Sequence, residues 1–173
     1  MNLKGKRIVI FVERLYNELE FWYPYFRLKE EGAEVKIVAP KIDVYTGKYG
    51  GLPVKPDLIA KEIKQKDFDG VFVPGGYCPD YLRVNKDVLN FVRSMYESGK
   101  VVASICHGAW VLISAGIVKG KKITGAGTIK DDIVNAGAEY VDKEVVVDGN
   151  IITSRKPDDL PFMLPEIIKK LGK

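Results

Sequence analysis

The sequence predicts an α/β fold, a three-layer sandwich in which a mostly parallel sheet is covered by helices on both faces and carries a small β-hairpin. Three observations lead there. Short β-branched runs alternate with amphipathic stretches along the chain, the pattern of parallel strands joined by crossover helices. The first run, Ile8-Val9-Ile10-Phe11-Val12, is apolar throughout, as a strand buried on both faces requires. Asp148-Gly149 stands between two alternating hydrophobic segments and is a strong hairpin signal. With 173 residues, 46% hydrophobic and 29% charged, the chain suits one domain spanning 1–173.

Taken in order, residues 7–12 read as the first strand. Residues 18–31 read as a helix, with Leu19, Trp22, Tyr23, Phe26 and Leu28 at helical spacing, Pro24 within the first turns and Gly32 as the stop. A second strand covers 35–39. Residues 41–56 hold Gly47, Gly50, Gly51 and Pro53 between short alternating segments, which predicts a hairpin or irregular excursion. A short helical stretch is expected near 59–63, then a strand at 70–73, the loop Pro74-Gly75-Gly76, a helix over 86–98, a strand over 100–104 and a helix over 108–115. A short strand at 122–124, a helix over 130–135 closed by Gly137, the hairpin 144–147 and 150–153, and an amphipathic helix over 159–171 complete the chain.

Composition excludes several functions. The net charge of +4 arises from 27 basic and 23 acidic residues with no basic block, so nucleic acid is not an expected partner. The apolar run near the N-terminus is too short for a signal peptide or membrane span, which predicts a cytoplasmic protein without a membrane partner. Two cysteines, Cys78 and Cys106, give neither a disulfide framework nor zinc-ligand spacing. A single histidine, His107, excludes imidazole-built metal sites. No metal and no cofactor are expected.

The run Ser104-Ile105-Cys106-His107-Gly108 places a nucleophile between small residues at a strand-to-helix junction, the pattern of a nucleophile elbow with serine for the first glycine. The free N–H groups and partial positive charge of the following helix favour thiolate over thiol, so Cys106 is expected to be acidic. Pro74-Gly75-Gly76 follows a neighbouring strand. It reads either as an ordinary tight turn or as an oxyanion hole in which the N–H groups of Gly75 and Gly76, with that of His107, meet developing negative charge.

Together with Glu18-Leu19-Glu20-Phe21-Trp22-Tyr23-Pro24 and Ile129-Lys130-Asp131-Asp132-Ile133-Val134-Asn135-Ala136-Gly137, these stretches resemble the PfpI intracellular protease family, within the superfamily of the parkinsonism-associated deglycase. The resemblance implies a flavodoxin-like sheet and a glutamate, here Glu20, hydrogen-bonded to the nucleophilic sulfur. A carboxylic acid held protonated there would donate to a thiolate and shuttle a proton, so a raised Glu20 pKa is expected. The peptidase members imply further that His107 serves Cys106 and is oriented by an acid of a neighbouring subunit, a place occupied here by Asp80; the plain alternative is that His107 lines the pocket and lends its N–H. Asn17 and Ala126 stand where the family often has a second glutamate and a tyrosine, and are expected to shape the substrate pocket. Cys78 reads as a resolving thiol, an accessory nucleophile or an incidental loop cysteine.

Three functions follow from the resemblance. The first is a cysteine peptidase acting on small peptides, assembled as a homo-oligomer, a dimer or a hexamer built from dimers. The second is a cofactor-independent glyoxalase or deglycase acting on reactive aldehydes and glycated groups. The third is a non-enzymatic redox-sensing stress protein or holdase. A glutamine amidotransferase shares the elbow but needs a distant His-x-Glu, which a chain with one histidine lacks.

Overall fold

The computed structural model describes residues 2–173. In chain order its elements are β1 (Arg7–Phe11), α1 (Glu18–Glu30), β2 (Glu34–Ala39), β3 (Leu58–Ile59), β4 (Gly70–Val73), α2 (Cys78–Leu82), α3 (Lys86–Glu97) and β5 (Val101–Ile105). They continue with α4 (Ala109–Ser114), β6 (Lys122–Ile123), α5 (Lys130–Asn135), β7 (Glu139–Tyr140), β8 (Val145–Asp148), β9 (Ile151–Ser154) and α6 (Leu160–Leu171). Seven strands form one sheet in the order β3-β2-β1-β4-β5-β9-β8. Every pairing is parallel except β8 with β9.

The central strands carry Val9, Ile10, Val71, Phe72 and Val102, each at most 1% exposed, which is why their sequences are apolar without alternation. From β1 the chain moves outward through β2 and β3, then returns to β4 on the other side of β1 and proceeds to β5. Parallel crossovers are right-handed, so these two directions of travel place α1 and α3 on opposite faces. The helix α6 packs against α1, and α4 against α3, completing the outer layers. No helix among the described residues is long and apolar enough to cross a membrane.

Several elements differ from expectation. Residues 59–63 form no helix: Leu58–Ile59 extends the sheet beside β2, and the chain then turns. The carboxylate of Asp57 accepts the Ile37 N–H at 2.8 Å, which pins this edge before a helix can start. Residues 41–56 form a loose excursion closed by Tyr45 and Val54, which exchange two backbone hydrogen bonds of 2.8 Å. The hairpin of β8 and β9 is not an appendage, because β9 pairs in parallel with β5 and makes the hairpin the sheet's edge. The short helix α2 and strand β7 were not anticipated; β7 pairs with β6 in a separate two-stranded sheet.

Candidate active site

The strand order reverses between β1 and β4, and in open parallel sheets a crevice forms at the carboxyl ends on either side of such a point. Three turns meet there: the one after β1, Pro74-Gly75-Gly76 after β4, and Cys106 after β5. Register brings the last two side by side, since Val73 lies opposite Ser104. The first two are stitched together by backbone bonds from Asn17 N–H to the Gly75 carbonyl, 3.1 Å, and from Tyr77 N–H to the Leu15 carbonyl, 2.9 Å.

Asn17 caps α1. Its Oδ1 accepts the N–H groups of Leu19, 3.1 Å, and Glu20, 3.4 Å, as an N-cap asparagine does for otherwise unpaired donors. It is 5% exposed. The acceptor of Asn17 is spent on the helix, so Asn17 fixes the turn that carries Glu20, and only its side-chain NH2 is left for any contact beyond the cap.

Glu20 is fully buried. Its Oε2 accepts the Gly75 N–H at 2.8 Å; its Oε1 is buried without a hydrogen-bond donor among the described residues, and the Cys106 side chain lies across Gly75 from the carboxyl. Gly75 fits between the two because it lacks a side chain: a Cβ there would lie 2.5 Å from Glu20 Oε2 and 2.7 Å from Cys106 Cβ. Gly75 is thus not a free oxyanion donor, because its N–H is engaged by Glu20. The backbone donors directed at the sulfur are those of Gly76 and His107.

Cys106 has φ of +59°, a conformation rare for any residue but glycine. The strain is what turns the chain from β5 into a short 3₁₀ segment, Cys106–Gly108, ahead of α4. The expectation of an acidic thiol is corrected. Burial first, and then the Glu20 charge, push Cys106 up to about 12, against the opposing effect of the two backbone donors. Burial likewise pushes Glu20 up to about 7, opposed by the Gly75 N–H, the thiol and the charge of Lys48. The two groups behave as a pair whose first proton leaves near neutrality. Thiolate arises when Cys106 passes its proton to the Glu20 carboxylate, not from acidity of its own.

His107 presents Nδ1 to Cys106 Sγ at 3.3 Å and Nε2 to Thr128 Oγ1 at 3.3 Å. Its ring stands edge-on to Trp110, with centroids 4.9 Å apart. Burial, then the charge of Lys48, hold its pKa below the usual value, so the neutral imidazole is the working form. Asp80 is exposed on the first turn of α2 and makes no ion pair among the described residues; the single chain does not bring it to His107. Cys78 is fully buried at the start of α2, and burial drives its pKa far up. The readings of Cys78 as resolving thiol or accessory nucleophile are thereby corrected, since no solute reaches it.

A cleft of about 450 Å³ opens over Cys106 and His107, lined by Ala126, Thr128, Tyr140, Asp142, Arg155 and Lys156 among others. Ala126 thus lines the same cleft as Cys106 and His107. A slightly larger hollow, about 490 Å³, lies between residues 60–65 and α3, but it holds neither cysteine nor histidine, and the chemistry points to the Cys106 cleft. Sequence reasoning missed Arg155, two residues beyond the predicted strand 150–153: β9 ends at Ser154 and pairs with β5, so Arg155 continues that register beside Cys106. Thr128 gave no signal. No group of three or more potential metal-ligating side chains exists among the described residues.

Fold and site define an α/β protein with a cysteine at a nucleophile elbow, set against a buried carboxyl at a topological switch point. The model of the DJ-1/PfpI family matches residues 6–170, and the chain belongs to that family. A Pyrococcus furiosus relative named "Deglycase PfpI" is 47% identical over 156 residues, covering 90% of this chain and 93% of its own. A Bacillus subtilis relative named "Putative cysteine protease YraA" is 41% identical over 159 residues, covering 90% and 92%. The crystal structure of Drosophila melanogaster DJ-1beta superposes with a TM-score of 0.90 at 28% identity, covering 97% of this chain and 91% of that one. Relatives carrying deglycase and protease names support an enzyme.

Proposed function

We propose that this chain is a cofactor-independent deglycase or glyoxalase acting on α-oxoaldehydes and their adducts. The observation that carries the reading is Glu20: a fully buried carboxyl with a midpoint near 7, one oxygen fixed by the Gly75 N–H, with the Cys106 side chain packed on the other side of that glycine. Proton transfer from Cys106 to Glu20 releases the sulfur to add to the aldehyde carbon. The new alkoxide lies toward the Gly76 and His107 N–H groups, then takes the proton back from Glu20 as a hemithioacetal. Glu20 next removes the C–H proton of that carbon and returns it to the adjacent one through an enediol, leaving a thioester. Water hydrolyses the thioester to a hydroxy acid and the free thiol, so one aldehyde and one water yield one hydroxy acid. Every group in this sequence comes from one chain, and the deglycase name of the Pyrococcus furiosus relative agrees with it.

A peptidase is the second reading, favoured by the contact of His107 Nδ1 with the sulfur at 3.3 Å and by the protease name of the Bacillus subtilis relative. It needs an acid on His107, which Asp80 of a second copy would supply. The outward face of α1, where Leu19, Tyr23 and Phe26 are 61%, 40% and 57% exposed, is apolar surface suited to a homo-oligomer. A purely redox role draws no support from a thiol whose ionisation burial suppresses. Purified protein assayed in parallel on methylglyoxal and a fluorogenic peptide separates the readings. The deglycase reading expects methylglyoxal turnover that Cys106→Ala and Glu20→Gln each abolish and His107→Ala only weakens; peptide cleavage lost in His107→Ala and Asp80→Asn, without methylglyoxal turnover, overturns it.

A further inference from the structure

The turn between β6 and α5 faces the nucleophile elbow and is tied to it. Residues Gly127–Ile129 form one 3₁₀ turn. Ahead of it the Ala126 N–H donates to the Cys106 carbonyl at 3.2 Å; behind it the Ile129 N–H donates to the Ala126 carbonyl at 3.0 Å, and the Ile129 side chain is buried in the core. Gly125 lets the two segments meet, since a Cβ there would lie 3.1 Å from the Cys106 carbonyl oxygen. The carbonyl of Gly125 accepts the Tyr140 hydroxyl at 3.3 Å. The turn is therefore registered on the elbow itself, and Thr128, at its centre, lines the cleft with Cys106 and His107.

His107 sits between this turn and α4. Trp110 meets the imidazole edge-on, and Trp110 is itself fixed, its Nε1 donating at 2.8 Å to Asp132 Oδ2 on the first turn of α5. An aromatic contact limits how far the imidazole tilts, but it does not tell nitrogens from carbons. Thr128 does. Its Oγ1 lies 3.3 Å from Nε2 while Nδ1 lies 3.3 Å from Cys106 Sγ, and a half-turn of the ring would exchange each nitrogen for a carbon and lose both contacts. A neutral imidazole has one N–H, and the nitrogen that carries it is set by the partner of the other. While Cys106 is a thiol, its S–H donates to Nδ1. The ring proton then stands on Nε2 and is donated to the Thr128 oxygen.

We propose that Thr128 is the positioning residue of His107: its hydroxyl holds Nε2–H and so keeps the Nδ1 lone pair on the Cys106 sulfur, within one copy of the chain. Thr128 acts through the ring and not on the reacting atoms. An acid from a second copy is then not needed to orient the imidazole, because the place at Nε2 is filled. The proposal rests on Cys106 as the reacting atom, but not on which carbonyl compound it attacks.

The test uses the fact that His107 is the sole histidine. Protein labelled with ¹⁵N-histidine gives one pair of imidazole nitrogens in a long-range ¹H–¹⁵N spectrum, and with the ring neutral their shifts report the tautomer. The parent is expected to show the Nε2–H form. Thr128→Val keeps the side-chain shape and removes the hydroxyl, and is expected to show both tautomers; Thr128→Ser restores the parent spectrum, and Asp80→Asn leaves it unchanged. Thr128 is exposed, so these variants leave the core intact. In parallel, methylglyoxal kcat is expected to fall roughly three- to tenfold in Thr128→Val, as the loss of one net hydrogen bond allows, with KM unchanged. In the His107→Ala background the same substitution costs nothing more. A parent ring protonated on Nδ1, a Thr128→Val spectrum that matches the parent's, an Asp80→Asn spectrum that does not, or a kcat loss that persists without the imidazole overturns the proposal. A tautomer shift in a protein with no methylglyoxal turnover removes the deglycase reading and leaves Thr128 in its place; turnover with an unshifted tautomer does the reverse.

Discussion

Replacing Glu20 with Gln is expected to stabilise the protein above neutral pH, at the cost of activity. The magnitude comes from the carboxyl's burial, which moves its midpoint from an ordinary 4.5 to about 7. Each tenfold change in proton affinity is worth about 1.4 kcal/mol, so holding Glu20 as a carboxylate in the folded state costs about 3 kcal/mol relative to the unfolded chain. Between pH 4.5 and 7 the folded state keeps a proton that the unfolded state has released. Stability therefore falls as pH rises through that window and levels off above it, opposite to the behaviour of a salt-bridged carboxylate. Gln offers the same oxygen to the Gly75 N–H and carries no charge to desolvate. Urea unfolding of the parent and Glu20→Gln at fixed protein concentration, from pH 5 to 8, measures the difference; His107 and the surface carboxylates are common to both and cancel. The advantage of the variant is expected to grow by roughly 2.5 kcal/mol from pH 5 to 8. A difference that stays constant across the range refutes a buried, proton-holding Glu20, and with it the proposed route to thiolate.

Three further outcomes are expected. Asn17→Ala removes the cap of α1 and should lower stability by about 1 kcal/mol, with a fall in kcat that Asn17→Ser largely reverses, read by urea unfolding and steady-state kinetics. Iodoacetamide should label native protein at Cys106 alone, and label Cys78 only in denaturant, because Cys78 is fully buried; mass spectrometry counts the adducts. Asp159→Ala should cost about 1 to 3 kcal/mol by removing two charge-assisted hydrogen bonds to a buried carboxylate, whose partners Arg155 Nε and Nη2 reach it at 2.9 and 3.2 Å, while Arg155 keeps Asp142 and Glu144; a loss under about 0.5 kcal/mol by chemical denaturation would contradict it.

How much of this was legible in the sequence depended on whether the signal was local. The apolar runs that became β1, β4 and β5 need burial on both faces, and composition alone shows that. The Ser104–Gly108 elbow is likewise a local pattern, and the strand to its left and short helix to its right stand where it requires them. Residues 59–63 misled because four polar or charged residues around Ile59 and Ile63 suit a helix surface, whereas the chain at Leu58 and Ile59 obeys a distant partner, β2. Asn17 was legible as a cap, three residues before Glu20 at the start of a helical pattern; the comparison with a family glutamate drew attention to its chemistry and away from its backbone role. Thr128 carried no signal at all, since a threonine in a glycine-rich turn is ordinary, and only the tie of that turn to the Cys106 carbonyl gives it a place.

The thiol's pKa is where the local view failed most instructively. A helix terminus lowers a cysteine's pKa when the sulfur stays near water, because the terminal N–H groups then add to solvation already present. Here α4 is six residues long and preceded by a 3₁₀ segment, and the sulfur is half-buried at the floor of the cleft, beside a carboxyl that carries negative charge above pH 7. Two backbone donors do not offset both effects. Activation must then be conditional: the thiolate exists only while Glu20 holds the proton. A pair wired in this way keeps its sulfur protonated at rest and exposes it when a carbonyl arrives to accept the electron pair, which suits addition to an aldehyde, where the same proton is needed again at the alkoxide. A free, permanently ionised cysteine would need no such acceptor; here the carboxyl, whose ionised form costs about 3 kcal/mol in the fold, takes the proton from the sulfur and returns it to the alkoxide.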